Sequence, residues 1–252
     1  MKSVSLPTLM ALFALGIVSL MPSQSAFGNE DDHDHEGDVD IEFEYAAGKI
    51  FFGEGVPVDA SDAGFVFLSD IPTGGLTPGQ TDDPGFISEV DLGLGIGSDD
   101  IIGYTVLQNR FGETLSFWKP DADGEGGALE DTTATLTVEN VGGDAIVVGQ
   151  FDGEGNGNIG QASGNGDFHD HIDFEISSGA APGIYGLLLQ LTTDADGIEN
   201  SDPFYLAFSN AATEEEHDQG AAFFAASAVP EPGTLGLLSL AVAGCGLRRR
   251  RG

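Results

Sequence analysis

Residues 39 to 45 read VDIEFEY, with Val39, Ile41, Phe43 and Tyr45 alternating with Asp40, Glu42 and Glu44. Successive side chains of an extended chain point to opposite faces, so this period of two marks a strand with one buried and one wet side. The segments GKIFFG, GFVFLS, DIIGYTVLQ, ETLSFW, ATLTVEN, DAIVVGQF, HIDFEIS, GIYGLLLQLTT and PFYLAFSN follow it. Each is strand-like in length and rich in β-branched or aromatic residues. Turn-forming stretches separate them, among them SDIPTGGLTPGQTDDPG and GEGNGNIGQASGNGD. Thr77-Pro78 to Gly85 reads as a surface loop. No window of this region repeats its apolar residues at the 3.6-residue helical period. About ten short strands joined by turns imply an all-β fold, an antiparallel β-sandwich, with the immunoglobulin-like arrangement one form open to it.

The charge narrows the partners. The chain has 8 Lys+Arg and 42 Asp+Glu. Lys2 and Arg248 to Arg251 lie at the ends, which leaves Lys49, Arg110 and Lys119 as the basic residues of the body. Glu231 is the one acid outside the body, whose net charge is about −38. Phosphate binding needs clustered Lys and Arg, so nucleic acid is excluded as a partner, and anionic lipid is repelled. Cations are attracted, and self-repulsion keeps the protein soluble. Hydrophobic residues make up 40 % of the chain and include 17 Phe, enough to build a core rather than a disordered acidic coil.

Both ends carry addresses. Lys2, an apolar run from about Leu9 to Met21 and the small-x-small stretch Ala26-Phe27-Gly28 form a secretory signal peptide over residues 1–28. The apolar run is too short to span a bilayer comfortably. Residues 29–38 form an acidic, His-containing segment, 39–210 the sandwich, and 211–228 a linker with a helical option at AAFFAA. At the other end, Pro230-Glu231-Pro232 precedes an apolar stretch from Gly233 to Leu247 and then Arg248, Arg249, Arg250 and Arg251. The prolines keep a helix from running upstream through the motif, and the arginines stay cytoplasmic while the apolar stretch enters the membrane. Residues 229–252 closely resemble the PEP-CTERM sorting signal of Gram-negative bacteria. The resemblance implies transient inner-membrane insertion, recognition by an exosortase-type membrane protease, and release to the cell surface or an extracellular polysaccharide matrix. A plain C-terminal anchor is the alternative. The single cysteine, Cys245, lies in this tail, so the body has no disulfide and no thiolate ligand.

The candidate chemistry lies in the histidines. Four of the five form two His-x-His pairs, His33/His35 in DDHDHE and His169/His171 in FHDHID. In a strand, i and i+2 share a face at about 6.5–7 Å, which would place His169 beside His171, Asp167 and Asp173 further along the row and Asp170 opposite. Two imidazoles and a carboxylate begin a tetrahedral zinc site. The competing reading is a solvated surface pair and an acidic low-complexity segment. The layout also resembles a Zur-regulated PEP-CTERM family through His33-Asp34-His35, VDIEFEY, Gly48-Lys49-Ile50, His169-Asp170-His171, Gly183-Ile184-Tyr185 and SDPFYLAFSN. That likeness implies expression under zinc limitation and capture or storage of zinc outside the cell, with His33, His35, His169 and His171 as the residues carried over.

Calcium is the rival ion. DADGEGGALEDT, 121 to 132, begins like an EF-hand loop with Asp121, Asp123, Glu125 and Gly126, but position twelve is Thr132, which offers no carboxylate. DGEGNGNIGQAS, 152 to 163, fails in the same way, and DADG recurs at 194 to 197. The G-x-G-x-x-G match at Gly155 to Gly160 lacks a following helix, and no nucleophile motif is present. Trp118 and Tyr104 are candidates for a sugar-binding face or for the core. The sequence thus points to a non-enzymatic exported metal-binding β-sandwich. A structural or adhesive matrix protein with weak calcium binding is the first alternative and a secreted carbohydrate-active enzyme the second.

Overall fold

The structure, a computed structural model, describes residues 40–52, 65–75, 77–124, 126–140 and 142–228. The signal peptide, the His33/His35 segment and the sorting tail lie outside the described residues. The strands in chain order are β1 Ile41–Ala46, β2 Lys49–Phe52, β3 Phe65–Ile71, β4 Gln80–Thr81, β5 Phe86–Ser88, β6 Ile101–Val106, β7 Leu115–Pro120 and β8 Gly127–Glu130. Then come β9 Leu136–Glu139, β10 Ala145–Val148, β11 Gly155–Gln161, β12 Phe168–Asp170, β13 Asp173–Ile176, β14 Gly183–Thr193 and β15 Phe204–Asn210. A 3₁₀ turn covers Val90–Leu92, and the helix α1 spans Glu214–Ala228.

The fold is all-β, as the alternation requires. Two four-stranded sheets, in the orders β12-β5-β1-β2 and β10-β9-β13-β4, share one apolar core with a seven-stranded sheet. In that larger sheet the path is β11-β6-β14-β15-β3, and β7 pairs with both β14 and β8. Phe43 and Phe86 of the first sheet, Val138 and Phe174 of the second, and Leu187, Leu189 and Phe208 of the third are buried together. Pairing is antiparallel except for β5 with β1 and β15 with β3.

Each core-forming run of the sequence becomes a strand. β14 is the longest, and its first half is buried without alternation from Gly183 to Leu187. Tyr185 and Leu187 face the main core, while Ile184 joins a second cluster with Val66, Trp118, Tyr205, Ala207 and Phe224. A strand buried on both faces reads as a continuous apolar run, and here α1 supplies the second cover. Trp118 and Tyr104 are therefore core residues, 2 % and 0 % exposed.

Apart from β4, whose two residues Gln80–Thr81 pair with β13 inside the stretch read as a surface loop, two segments differ from expectation. Residues 214–228, within the stretch read as a linker, form α1. Thr213 and Glu216 cap its start reciprocally: the Glu216 carboxylate accepts from the Thr213 amide at 2.8 Å, and the Glu216 amide donates to the Thr213 hydroxyl at 3.3 Å. Its buried stripe is His217, Gly220, Phe224 and Ser227, spaced as one helix face requires. His217, the fifth histidine, donates from Nε2 to the Ala207 carbonyl at 2.9 Å and so ties α1 to β15.

The second is GEGNGNIGQ, read as a turn, which contains β11 and pairs along β6. Glycine is needed there for close approach, because a Cβ on Gly157 would lie 2.7 Å from the Tyr104 ring. Gly157→Ala should destabilise the protein by about 1–3 kcal/mol through overpacking, measurable by denaturant unfolding.

Candidate metal centre

The register of the β12-β5-β1 sheet builds the site. Ile41 of β1 and Asp170 of β12 both pair with Phe86 of the central β5. One step away, Asp40 and His171 therefore flank Gly85 from opposite sides. Strands two apart in a sheet are separated by roughly 9.5 Å, so side chains on them converge over the middle strand only where it carries little bulk. Gly85 provides that opening. A Cβ there would lie 2.4 Å from Asp40 Oδ1 and 2.5 Å from His171 Cε1. His169, opposite Ile87 on β12, completes the group.

His169 Nε2 lies 3.2 Å from His171 Nε2 and 3.0 Å from Asp40 Oδ2. One ligand atom from each of the three residues lies within 4.8 Å of the others. Ligands 2.0–2.1 Å from a tetrahedral zinc stand about 3.3 Å apart, so these separations are close to the edges of such a polyhedron. His171 Nδ1 donates to the Asp82 carbonyl at 2.9 Å. That bond leaves the Nε2 lone pair for a metal, as an orienting partner does for metal-bound imidazoles. Asp40 Oδ1 is buried and has no hydrogen-bond partner, a costly state for a carboxylate oxygen unless a cation neutralises it. The His169 side chain is 50 % exposed and that of Asp40 18 %, so the site is rooted in the sheet and open at one end.

The environment favours positive charge. Burial by itself lowers the His171 pKa. The bond to the Asp82 carbonyl and the charges of Asp40, Asp82 and Asp83 outweigh it, and the net shift is upward from the ordinary 6.5. A raised pKa means that protonated His171 stabilises the metal-free fold fully below about pH 6.5, and that this contribution is lost as pH rises through the folded value. A metal needs the deprotonated ring and gains with pH where the proton loses.

The structure brings His169 and His171 together as the spacing suggests, while His33 and His35 lie outside the described residues. The accompanying carboxylate differs from expectation. A continuous row from Asp167 to Asp173 requires one strand, but β12 ends at Asp170, Ile172 turns into the core, and β13 starts at Asp173 in another sheet. Asp167 instead accepts the Val90 amide at 2.8 Å, and Asp170 accepts the His171 amide at 3.2 Å. The third metal-type residue is Asp40. It sits on the polar row of VDIEFEY, and no local pattern links it to a histidine more than a hundred residues away.

The calcium-like stretches have other roles. Asp121 to Gly126 forms the β7–β8 hairpin turn, closed by the Asp121 amide on the Gly126 carbonyl at 2.8 Å; Glu125 lies outside the described residues. The 152–163 stretch runs into β11, and Asp194 accepts the Ile101 amide at 2.8 Å. Among the described residues, Asp40, His169 and His171 are the one grouping of three metal-type side chains. The three basic residues of the body have partners of their own. Lys49 pairs with Asp202 at 2.6 Å, Lys119 pairs with Glu130 at 3.0 Å, and Arg110 lies over the Phe111 ring at 4.8 Å.

The tail beyond α1 is what comparison with known proteins resolves. The family model described as the PEP-CTERM protein-sorting motif matches residues 228–251. The chain carries a PEP-CTERM sorting motif. It is thus an exported protein handled by an exosortase-type system, and the motif implies recognition by that membrane protein. The match covers the tail of the chain and not the sandwich, and no curated protein matches the chain. Among the described residues no helix is long and apolar enough to cross a membrane.

Proposed function

We propose that this exported protein captures divalent metal outside the cytoplasm, zinc by its donor set, through Asp40, His169 and His171. The observation that carries this reading is the 3.2 Å approach of the two Nε2 atoms beside an orphaned Asp40 oxygen. Imidazole with carboxylate suits zinc, whereas calcium takes six to eight oxygens. The protein acts as a binder, not an enzyme. It is held by its C-terminal segment in the inner membrane before processing, and afterwards resides at the surface or among extracellular polysaccharide.

Calorimetric titration of the exported form with zinc tests this, comparing wild type with His169→Ala/His171→Ala. The double variant should lose at least ~100-fold in affinity, more than the loss expected from an orienting partner alone. Equal affinities would remove the site. Wild-type affinity should fall as pH drops through the His171 pKa, because proton and metal compete for its Nε2, by at least about tenfold per pH unit below it.

A second reading, a structural matrix protein bridged by calcium, is supported by the acidity of the body and the engagement of its few cations. It predicts calcium-dependent association in light scattering, unchanged in the same double variant.

A further inference from the structure

The matched sorting motif begins where the described residues end. α1 runs to Ala228, and the matched motif starts at residue 228. Unlike a loose tether, α1 is anchored along its whole length. His217 bonds to β15, Gln219 donates to the Gly124 carbonyl at 3.0 Å, and Gly220 abuts Ile184. Phe224 is fully buried against Gly186 and Tyr205, and Ser227 is 4 % exposed.

From Ser227 to Pro230 the chain spans at most about 10 Å, while a domain of this size has a radius of gyration of roughly 16 Å. A membrane protease enclosing the Pro230-Glu231-Pro232 segment would meet the body of the sandwich. A docked helix rises only 1.5 Å per residue, and unwinding one turn more than doubles its reach. Phe224 is the contact that holds that turn, with the buried Ser227 one turn further on.

We infer that docking of the C-terminal turn of α1 gates access of the exosortase-type protease to the motif, so that the packing of Phe224 sets the rate of processing. The inference rests on the sorting role of the tail. Processing breaks one peptide bond, the acyl carbon passing to water or another nucleophile and the tail leaving as the amine. Docking of α1 governs access and takes no part in that chemistry.

The test follows conversion of the full chain to its processed form by pulse-chase in cells that contain the protease. A flexible six-residue Gly/Ser insertion after Ala228 should speed conversion several-fold, because the motif is then reached without undocking. Phe224→Ala should speed it at the native spacing and add little in the inserted chain. An unchanged or slower rate on insertion, which lies outside the fold and leaves its packing intact, overturns the gate. The variant Pro230→Ala/Pro232→Ala should stop conversion at either spacing. Continued conversion would overturn the sorting reading itself, and with it the gate.

Discussion

Gly85→Ala should abolish metal binding at Asp40, His169 and His171 while leaving the sandwich folded. The added methyl would sit 2.4 Å from Asp40 Oδ1, 2.5 Å from His171 Cε1 and 2.8 Å from His171 Nε2. All three contacts are with the atoms that define the site. His171 has little freedom to swing aside, because its Nδ1 is bonded to the Asp82 carbonyl. The methyl therefore pushes Asp40 outward or breaks that bond, and either destroys the donor geometry. Backbone pairing is spared, since the Gly85 carbonyl still accepts the Ile41 amide at 2.8 Å. A loss of affinity of at least ~100-fold is expected, since losing the orientation of a single ligand alone costs about 10–100-fold and here both Asp40 and His171 are displaced. The overpacking should also remove about 1–3 kcal/mol of stability. Zinc calorimetry beside a thermal melt separates the two. Wild-type affinity in a folded Gly85→Ala protein would contradict the assignment of this cradle.

The largest expected effect on stability comes from Phe224→Ala, at about 3–5 kcal/mol. Phe224 is fully buried on the outer face of the large sheet, and its ring fills the place a Gly186 side chain would take, 2.4 Å from that Cβ position. The Tyr205 ring lies beside it, tilted by 30° at 5.0 Å between centroids. Removing the ring uncovers part of the second apolar cluster and loosens the cover that α1 provides over Tyr205. Equilibrium urea unfolding should show the midpoint fall. A change below about 1 kcal/mol would mean that α1 adds little to the fold.

Much of the architecture was legible. VDIEFEY alternates because its sheet has one wet face, and PFYLAFSN does not because α1 covers the outer side of β15. That unbroken run was itself the sign of a second cover. The cover was harder to read, since its stripe of His217, Gly220, Phe224 and Ser227 contains one large apolar residue. The clearer signal was Thr213-Glu214-Glu215-Glu216, a capping sequence. β11 escaped because its glycines resemble turn residues, whereas they serve contact with Tyr104 and Ile146. Two of the three described metal-type residues followed from the i, i+2 spacing of His169 and His171. Asp40 and Gly85 did not, because they join the histidines through strand register across β5, a relation that sequence spacing does not encode.

The same register has a bearing on when an ion is acquired. Asp40 and the histidines lie on or at the ends of β1 and β12, which are brought together only by pairing with β5 between them, so a chain still unwound holds no such constellation. A polypeptide crossing a membrane in extended form cannot bring a cation along in this place. For a chain exported unfolded, any loading of the proposed site would follow assembly of the sheet, from whatever ions that compartment offers.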